Sequence, residues 1–464
     1  MVSSPRVSGA AWSSFVTRPA WSLRGAHAVP AVWTSLSMLA CLSIAMAMPG
    51  DLIAAELSLD DALHLAAEQA PQIASQRALA EAARKRVVAA GALADPQLTI
   101  KLENLSTTTN YRWTFRDYST GMRYGFKQEV DWIEKLGYRT ELARQEAERE
   151  AVSIDVQRAA VQRDVAMAWM ARYFAEQAEA AVAAEITEAR LGVDVANAQY
   201  RAGTRTQGEL VALQKAVVDL ENRRTDFALQ VQRAKITLAR YIGADAERPL
   251  AITPDVTRVP LAVARLNDGR ELPEVRAALS QEAVTAAQAN VAAGDYGPDA
   301  EFILSWLDRG AAGDVVQFQP GHPLQPQQRY SDLITFQLET TLPIFRATRQ
   351  TPRLRAVERM VDAARADREE AQRREMARVQ DIMAVWDTHR EETMRIRDEL
   401  VPLMMQRREA VLAAYRGGTG TLEEVLKARR GELDARLRLV EHQQQAAIAW
   451  AWLEYLLPIP DHHR

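Results

Sequence analysis

The sequence predicts a mainly α-helical fold that is built twice and carries a β-barrel part. One segment occurs twice, as AQYRAGTRTQGELVAL at 198–213 and as AAYRGGTGTLEEVLKA at 413–428. Long helical patterns lie on both sides of each copy. Four shorter stretches alternate apolar with polar residues, which is the period of a half-buried strand. The expected unit is therefore a long helical hairpin with two strands, present twice in the chain.

Each copy of the segment has the features of a turn between two helices. Gly203 and Gly418 follow helical stretches, and glycine ends helices easily because it adopts the left-handed conformation without a Cβ clash. The Thr-x-x-Glu that follows is a capping box, which satisfies free backbone N–H groups of the next helix. We therefore expect hairpin tips at about 200–206 and 415–421.

The N-terminal residues 1–47 are interpreted as a secretory signal peptide, with cleavage as late as residue 55. Arg18 and Arg24 precede an apolar run at 31–47, which small residues follow. Two other interpretations are an uncleaved membrane anchor and a lipoprotein signal acylated at Cys41. Ser and Thr within the run, and the apolar residues after the cysteine, make both less favoured. Cys41 is the only cysteine, so no disulfide within the chain is expected.

Composition excludes several classes of function. The formal net charge of the 464-residue chain is −4, and its arginines alternate with acidic residues, so no nucleic-acid partner is expected. Phosphate-binding, zinc-protease, hydrolase and dinucleotide motifs are absent from the sequence, which argues against an enzyme and against a cofactor. The histidines that follow the predicted signal peptide lack the spacing of a metal site, so no metal ligand is predicted; they are His64, His322, His389, His442, His462 and His463.

The first structural repeat is predicted at 56–248. Helical spacing covers 57–93, and Pro71 divides this stretch into two helices. The rest of the repeat is expected to contain strands at about 96–104 and 121–132, a helix at 138–202 and a return helix at 206–242. A helix at 138–202 is roughly 95 Å long, which is more than a globular core covers.

The second repeat is predicted at 272–464, after a proline-bearing connector at 249–271. Pro273 corresponds to Pro71, and Pro298 corresponds to Pro96. The expected elements are strands at about 299–308 and 330–342, a helix at 349–416 and a return helix at 421–457. Polar loops at 105–120 and 309–329 join the strands of each repeat.

Each predicted strand has one apolar, aromatic face and one charged face, which is typical of an outer-membrane barrel. Four strands do not close a barrel, and lipid does not tolerate an open sheet edge. Several chains are therefore needed, and three would supply twelve strands. The competing interpretation, a soluble β-sandwich core, is disfavoured by the charged faces. The residues expected to face lipid are Tyr124, Phe126, Trp132, Phe302, Trp306 and Phe336.

These features resemble the TolC-like outer membrane factor family, the exit ducts of Gram-negative tripartite efflux pumps and type I secretion. The resemblance extends from Leu57 to Leu457 and includes the LSLDDAL opening and the doubled YRAGT and YRGGT tips. The segment DPQLTIKLENL at 95–105 is most similar to the branch that serves heavy-metal RND pumps.

The resemblance implies a homotrimer with a twelve-stranded outer-membrane β-barrel and an α-helical periplasmic tunnel. It further implies a periplasmic adaptor protein at the tips and an inner-membrane pump, here of the RND type. The chain would then be a passive duct, with heavy-metal cations as one expected cargo. A duct for type I secretion or drug efflux, and a periplasmic coiled-coil adaptor, remain as alternatives. The tip residues assigned to adaptor docking are Gly203, Thr204, Arg205, Gly418, Thr419 and Gly420.

Members of the family narrow the periplasmic entrance with a carboxylate shortly after the second tip, and the matching residue here is Glu424. Glu209 has the same spacing in the first tip. Both are candidates for a periplasmic gate, and both also fit the capping box, so the two interpretations stay open. The chain departs from the family pattern at Lys427, where a second acid is usual, and at Gly420, where an arginine is usual.

Overall fold

In a computed structural model of the protein, long antiparallel helices extend from a four-stranded sheet. The described residues are 56–108, 112–113, 119–131, 133–309 and 330–459. By their contacts they all belong to one unit, Ile53–Arg464. The predicted signal peptide, Trp132 and most of both strand-to-strand loops lie outside the described residues.

Proline and capping residues set the starts of the shorter helices, which precede the strands in each repeat. In α1 (Leu59–Gln69), Ser58 and the N3 residue Asp61 form a capping box. Pro71 and Pro273 occupy the first turns of α2 (Pro71–Ala90) and α6 (Pro273–Gly294), where a missing N–H costs nothing. A short helix, α5 (Leu261–Arg265), lies in the connector.

Four strands form one antiparallel sheet in the order β1-β2-β3-β4. They are β1 (Gln97–Glu103), β2 (Gly121–Val130), β3 (Ala300–Arg309) and β4 (Leu333–Thr340). Within the described residues, β1 pairs only with β2 and β4 only with β3. The sheet of a single chain thus has an edge strand on each side.

The long helices form two hairpins. In the first repeat, α3 (Ile133–Arg201) contains 69 residues and returns as α4 (Gln207–Ile242). In the second repeat, α7 (Gln350–Arg395) continues through a π-helical turn (Ile396–Leu400) into α8 (Val401–Arg416) and returns as α9 (Leu422–Glu454).

The π-helical turn corrects the expectation of one regular helix at 349–416. Pro402 lies in the first turn of α8 and has no N–H to donate to the preceding turn, while its ring would clash with the carbonyl there. A π turn widens the helix at this point, and π-helical segments occur mostly as such single turns inside α-helices.

The largest core lies where the connector wraps the long helices. Indole N–H groups hold the connector and the segment before α1 in place. Trp169 donates to the carbonyl of Leu57 (3.1 Å), Trp386 to that of Val256 (3.2 Å) and Trp450 to that of Arg258 (3.1 Å). Trp169 and Trp386 are fully buried. Buried indoles need such acceptors, so these bonds hold the connector against α7 and α9 and the segment before α1 against α3.

No described helix is both long enough and apolar enough to cross a membrane. The helices instead pair their charges along exposed faces, as in Arg190–Glu221 (2.6 Å) between α3 and α4.

Candidate functional site

The first hairpin tip is a tight turn stabilised by the chain that precedes it. Gly203 has φ +71°, the left-handed region expected from the sequence. The backbone N–H and the hydroxyl of Thr204 both donate to the carbonyl of Gln199, each at a donor–acceptor distance of 3.0 Å. The helix end is therefore closed by the tip's own residues.

The second tip repeats this geometry with one difference. Gly418 has φ +78°. The N–H and the hydroxyl of Thr419 donate to the Ala414 carbonyl at distances of 3.0 and 3.1 Å. A Cβ placed on Gly420 would lie 3.0 Å from the backbone nitrogen of Tyr415. The close approach of the backbone explains glycine here, where the first tip has Arg205.

The two tips contact each other within one chain. Arg205 of the first tip donates from Nη2 to the hydroxyl oxygen of Tyr415 in the second tip, and the two atoms lie 2.6 Å apart. Beneath this bond, Ala196, Leu213 and Leu422 form a small buried cluster against which Tyr415 packs. The end of the molecule is thus one joint structure made of both tips.

Both candidate gate carboxylates act as helix caps in this structure. Glu209 accepts from the backbone N–H of Thr206 (3.1 Å), and Glu424 accepts from that of Thr421 (2.9 Å). These backbone N–H groups are the main reason that the pKa of each carboxyl is lowered from its ordinary value. Both carboxylates are thus charged at neutral pH, and Glu424 is exposed to solvent. The gate role remains a prediction.

The sheet separates its side chains into an apolar face and a charged face. Register places Tyr124 beside Trp306 and Phe126 beside Leu304, and the Tyr124 and Trp306 rings stack with centroids 5.5 Å apart. This face is exposed in the single chain, and Phe336 is 82% exposed. Five of the six aromatic residues proposed as lipid-facing lie on it, the exception being Trp132, which lies outside the described residues. The whole apolar face comprises Leu98, Ile100, Leu102, Met122, Tyr124, Phe126, Phe302, Leu304, Trp306, Ile334, Phe336 and Leu338.

The opposite face of the sheet is held by ion pairs across the strands. Arg123 of β2 pairs with Glu103 of β1 (2.7 Å) and also donates to the Ser305 hydroxyl of β3 (2.9 Å). Lys127 pairs with Glu301 over 2.8 Å. A sheet with one apolar, exposed face and one hydrated, charged face is suited to a barrel with lipid outside and water inside.

The sequence model of one family, "Outer membrane efflux protein", matches residues 62–244 and 270–457. The chain belongs to this family. The two matched blocks contain the two hairpins, and the region between them is the connector. Among curated proteins, no relative matches the chain.

Solved structures of outer-membrane channels share the fold of this efflux protein. The structure of CusC has a TM-score of 0.69 at 15% identity and covers 88% of this chain and 94% of its own. VceC from Vibrio cholerae has a TM-score of 0.65 at 18% identity, with coverages of 86% and 95%. MtrE from Neisseria gonorrhoeae, in its open state, has a TM-score of 0.65 at 16% identity, with coverages of 86% and 88%.

These comparisons confirm two sequence predictions, the TolC-like family and the fold class of long helices with barrel strands. Members of the family are transport ducts rather than enzymes, in agreement with the expectation that the chain has no catalytic site. The assignments of individual residues to docking, gating and lipid contact remain predictions.

One group of side chains in this efflux protein was missed by the sequence analysis. His389 and Glu392 of α7 and His442 of α9 lie with ligand atoms close together, although histidine spacing suggested no metal site. The two histidines are distant in sequence, and only the folding of α9 back along α7 joins them. The available signal was their similar distance along the chain from the second tip.

Proposed function

We propose that this protein is the outer-membrane channel component of a tripartite efflux system, a passive duct made of three copies. The observation that carries the proposal is the two-faced sheet, whose apolar face is exposed and whose edge strands, β1 and β4, each have a free side among the described residues of the single chain. An exposed apolar face of this size requires a partner or a lipid surface. Three copies joined edge to edge would give twelve strands and would leave no open edge.

In this arrangement the barrel lies in the outer membrane and the helical hairpins form a tunnel in the periplasm. The helices are too charged to enter lipid, since their exposed faces carry ion pairs such as Lys215–Asp219 (2.7 Å). The joint tip lies at the far end of the hairpins from the sheet, which supports docking of a periplasmic adaptor there. An inner-membrane pump of the RND type would supply the energy, because the duct has no fuel-binding motif of its own.

Edge-to-edge assembly is testable by cross-linking the two edge strands. Thr99 of β1 and Thr335 of β4 lie on the same face of the sheet, at its two sides. With Cys41 changed to Ser, the pair Thr99→Cys and Thr335→Cys should give covalent trimers with a short dithiol-reactive linker in outer-membrane fractions. The matched control, Thr99→Cys with Ser305→Cys, places the second thiol in the middle of the sheet and should give none.

The proposal is wrong if the mature protein is recovered as a monomer from the soluble periplasm without detergent. A periplasmic adaptor would behave in that way. Trimers that insert into planar bilayers and conduct ions would support the duct.

The tips are assigned to adaptor docking on their exposure and their joint structure. Thr204 and Thr419 are exposed at the tip, and a bulky charge there should block docking without changing the barrel. In a host lacking its own duct, Thr204→Arg with Thr419→Arg should abolish efflux while trimer formation and conductance persist. Asn222→Arg, on an exposed position of α4 away from the tip, should leave efflux intact.

The cargo proposed is heavy-metal cations, on the similarity of the β1 segment at 95–105 to the metal-exporting branch. Complementation of a host that lacks its own duct separates metal efflux from drug efflux and protein secretion. Restored growth on zinc, cobalt or copper salts supports metal efflux. Restored growth only on drugs or detergents, or restored export of a protein substrate, indicates the drug or type I secretion duct instead.

A further inference from the structure

Three ligand atoms converge between α7 and α9, in the second hairpin. The Nδ1 atoms of His389 and His442 lie 3.0 Å apart. The Oε2 atom of Glu392 lies 2.8 Å from Nδ1 of His442 and 3.3 Å from Nδ1 of His389. His389 and Glu392 are three residues apart on one helix, so a single turn of α7 presents both toward α9.

These separations match the ligand set of a small divalent cation. Nitrogen and oxygen ligands lie about 2.0–2.2 Å from Zn²⁺, so tetrahedral ligands are about 3.3 Å from each other. The three observed distances are equal to this value or slightly shorter. An ion displaced from the plane of the three atoms would therefore contact all of them and keep one position open.

The chemistry of the three groups also favours a shared cation. Two imidazole nitrogens and a carboxylate oxygen form a triangle, and neutral imidazole and carboxylate are both preferred ligands of zinc-like ions. Within the described residues, Glu392 forms ion pairs with these two histidines and with no lysine or arginine. No basic side chain therefore competes for the carboxylate.

The surroundings hold the two helices in register at this point. One turn before His389, the fully buried Trp386 anchors α7 to the connector through its indole N–H. Both histidines are partly buried, and Val440 packs in the adjacent cores on either side. The ligands are thus placed by a packed helix pair rather than by mobile side chains on an open surface.

The first hairpin lacks an equivalent cluster. The offset that relates the two tips, Tyr200 to Tyr415, places Phe174, Gln177 and Phe227 at the positions of His389, Glu392 and His442. Two phenylalanines and an amide offer a metal no comparable ligand. The duplicated fold is therefore stable with apolar residues at this level, and the histidines are specific to the second hairpin.

We propose that His389, Glu392 and His442 bind a divalent transition-metal ion that fastens α7 to α9, with one site per chain. Such an ion would stabilise the second hairpin because it binds the folded helix pair and not the separated helices. The site lies just before the π-helical turn at Ile396–Leu400, so the bound ion would also fix the helix where its regular winding changes. This inference does not depend on the identity of the exported cargo.

The test uses the full-length trimer in detergent, stripped with chelator and titrated with Zn²⁺ alone by calorimetry. His462 and His463 are first changed to Gln and the affinity tag contains no histidine, because adjacent histidines bind metal by themselves. We expect one ion per chain, with a dissociation constant in the micromolar range or tighter. Co²⁺ in place of Zn²⁺ should give the visible absorption bands of a four-coordinate site.

Three variants and one control decide the outcome. His389→Phe with His442→Phe installs the residues of the first hairpin and should abolish binding while the trimer forms normally. Glu392→Gln should weaken binding at least about tenfold, because it removes the charged ligand. His64→Gln, at an exposed position of α1, should bind as the parent does.

A second measurement is independent of ligand counting. Zn²⁺ should raise the thermal unfolding midpoint of the parent trimer and leave that of the double phenylalanine variant unchanged. Equal stoichiometry and affinity in the parent and the double variant would overturn the proposal. So would the absence of Zn²⁺ binding in a parent trimer whose circular dichroism spectrum shows that its helices and strands are folded.

Discussion

The guanidinium of Arg205 lies 2.6 Å from the hydroxyl of Tyr415 and 5.9 Å from the centre of its ring, so that the first hairpin tip is bonded to the second. The reciprocal bond would run from residue 420 of the second tip to Tyr200 of the first. It is absent because the second tip has Gly420 where the first has Arg205. A Cβ on Gly420 would lie 3.0 Å from the backbone nitrogen of Tyr415, a tight contact that disfavours a side chain there. The duplicated tips have thus diverged into a donor and an acceptor of one contact.

Removal of this contact should loosen both tips together. A hydrogen bond to a charged group contributes about 1.5–3 kcal/mol, so Arg205→Ala should speed amide exchange at the two tips about tenfold or more. Hydrogen–deuterium exchange with mass spectrometry on the trimer measures this directly. Arg201→Ala, an exposed arginine of the same tip, is the matched control. Faster exchange at the first tip alone would show that Arg205 does not hold Tyr415.

The gate and cap roles of Glu424 are separable because glutamine caps a helix but carries no charge. If the carboxylates of three copies surround the tunnel mouth, Glu424→Gln should reduce cation selectivity and weaken block by divalent ions in planar bilayers. Glu423→Gln changes the neighbouring acid of the same helical turn and should have a smaller effect. Identical traces for the parent and both variants would leave Glu424 with the capping role alone.

The fold was predictable wherever local chemistry determines it. Pro71 and Pro273 begin helices, Gly203 and Gly418 adopt positive φ, and the strands alternate as the sequence indicates. Each of these features depends on a few consecutive residues. The duplication then supplied a second, independent reading of each pattern.

The contacts between distant helices were not predictable in the same way. The Arg205–Tyr415 bond and the His389–His442 pair depend on how two hairpins pack and on the rotation of each helix about its axis. A single sequence does not specify that rotation to within one residue, because several faces of these alanine- and arginine-rich helices would bury similar areas. The indole bonds of Trp169, Trp386 and Trp450 to the segment before α1 and to the connector were missed for the same reason.

Acid should fray the helices that begin at the tips. The pKa of Glu209 and that of Glu424 are lowered in the folded protein, so the ionised caps stabilise it above the unfolded pKa, near 4.3. This stabilisation is lost as the pH falls through the pKa that each group has in the folded protein, which is the lower of its two pKa values. Amide exchange at the first turns of α4 and α9, corrected for intrinsic rates, should therefore increase once the pH falls below about 4.3. In the Glu209→Gln and Glu424→Gln double variant, whose caps do not titrate, the corrected rates should stay nearly constant. An equal increase in the variant would assign the acid effect to other groups.

The two faces of β4 provide the sharpest test of membrane placement. Phe336 and Gln337 are adjacent on one strand, and their side chains point to opposite faces of the sheet. An arginine at the lipid face of a barrel costs about 2–4 kcal/mol near the bilayer midplane, whereas a face lined by water accepts it readily. We therefore expect Phe336→Arg to lower the yield of folded trimer in the outer membrane severely, and Gln337→Arg to leave it near the parental level. Heat-modifiable mobility on gels separates folded from unfolded barrels and so measures the yield of folded trimer for each variant. If Gln337→Arg proves the more damaging of the two, the sheet is oriented with its charged face toward lipid or protein, and the aromatic face has some other partner.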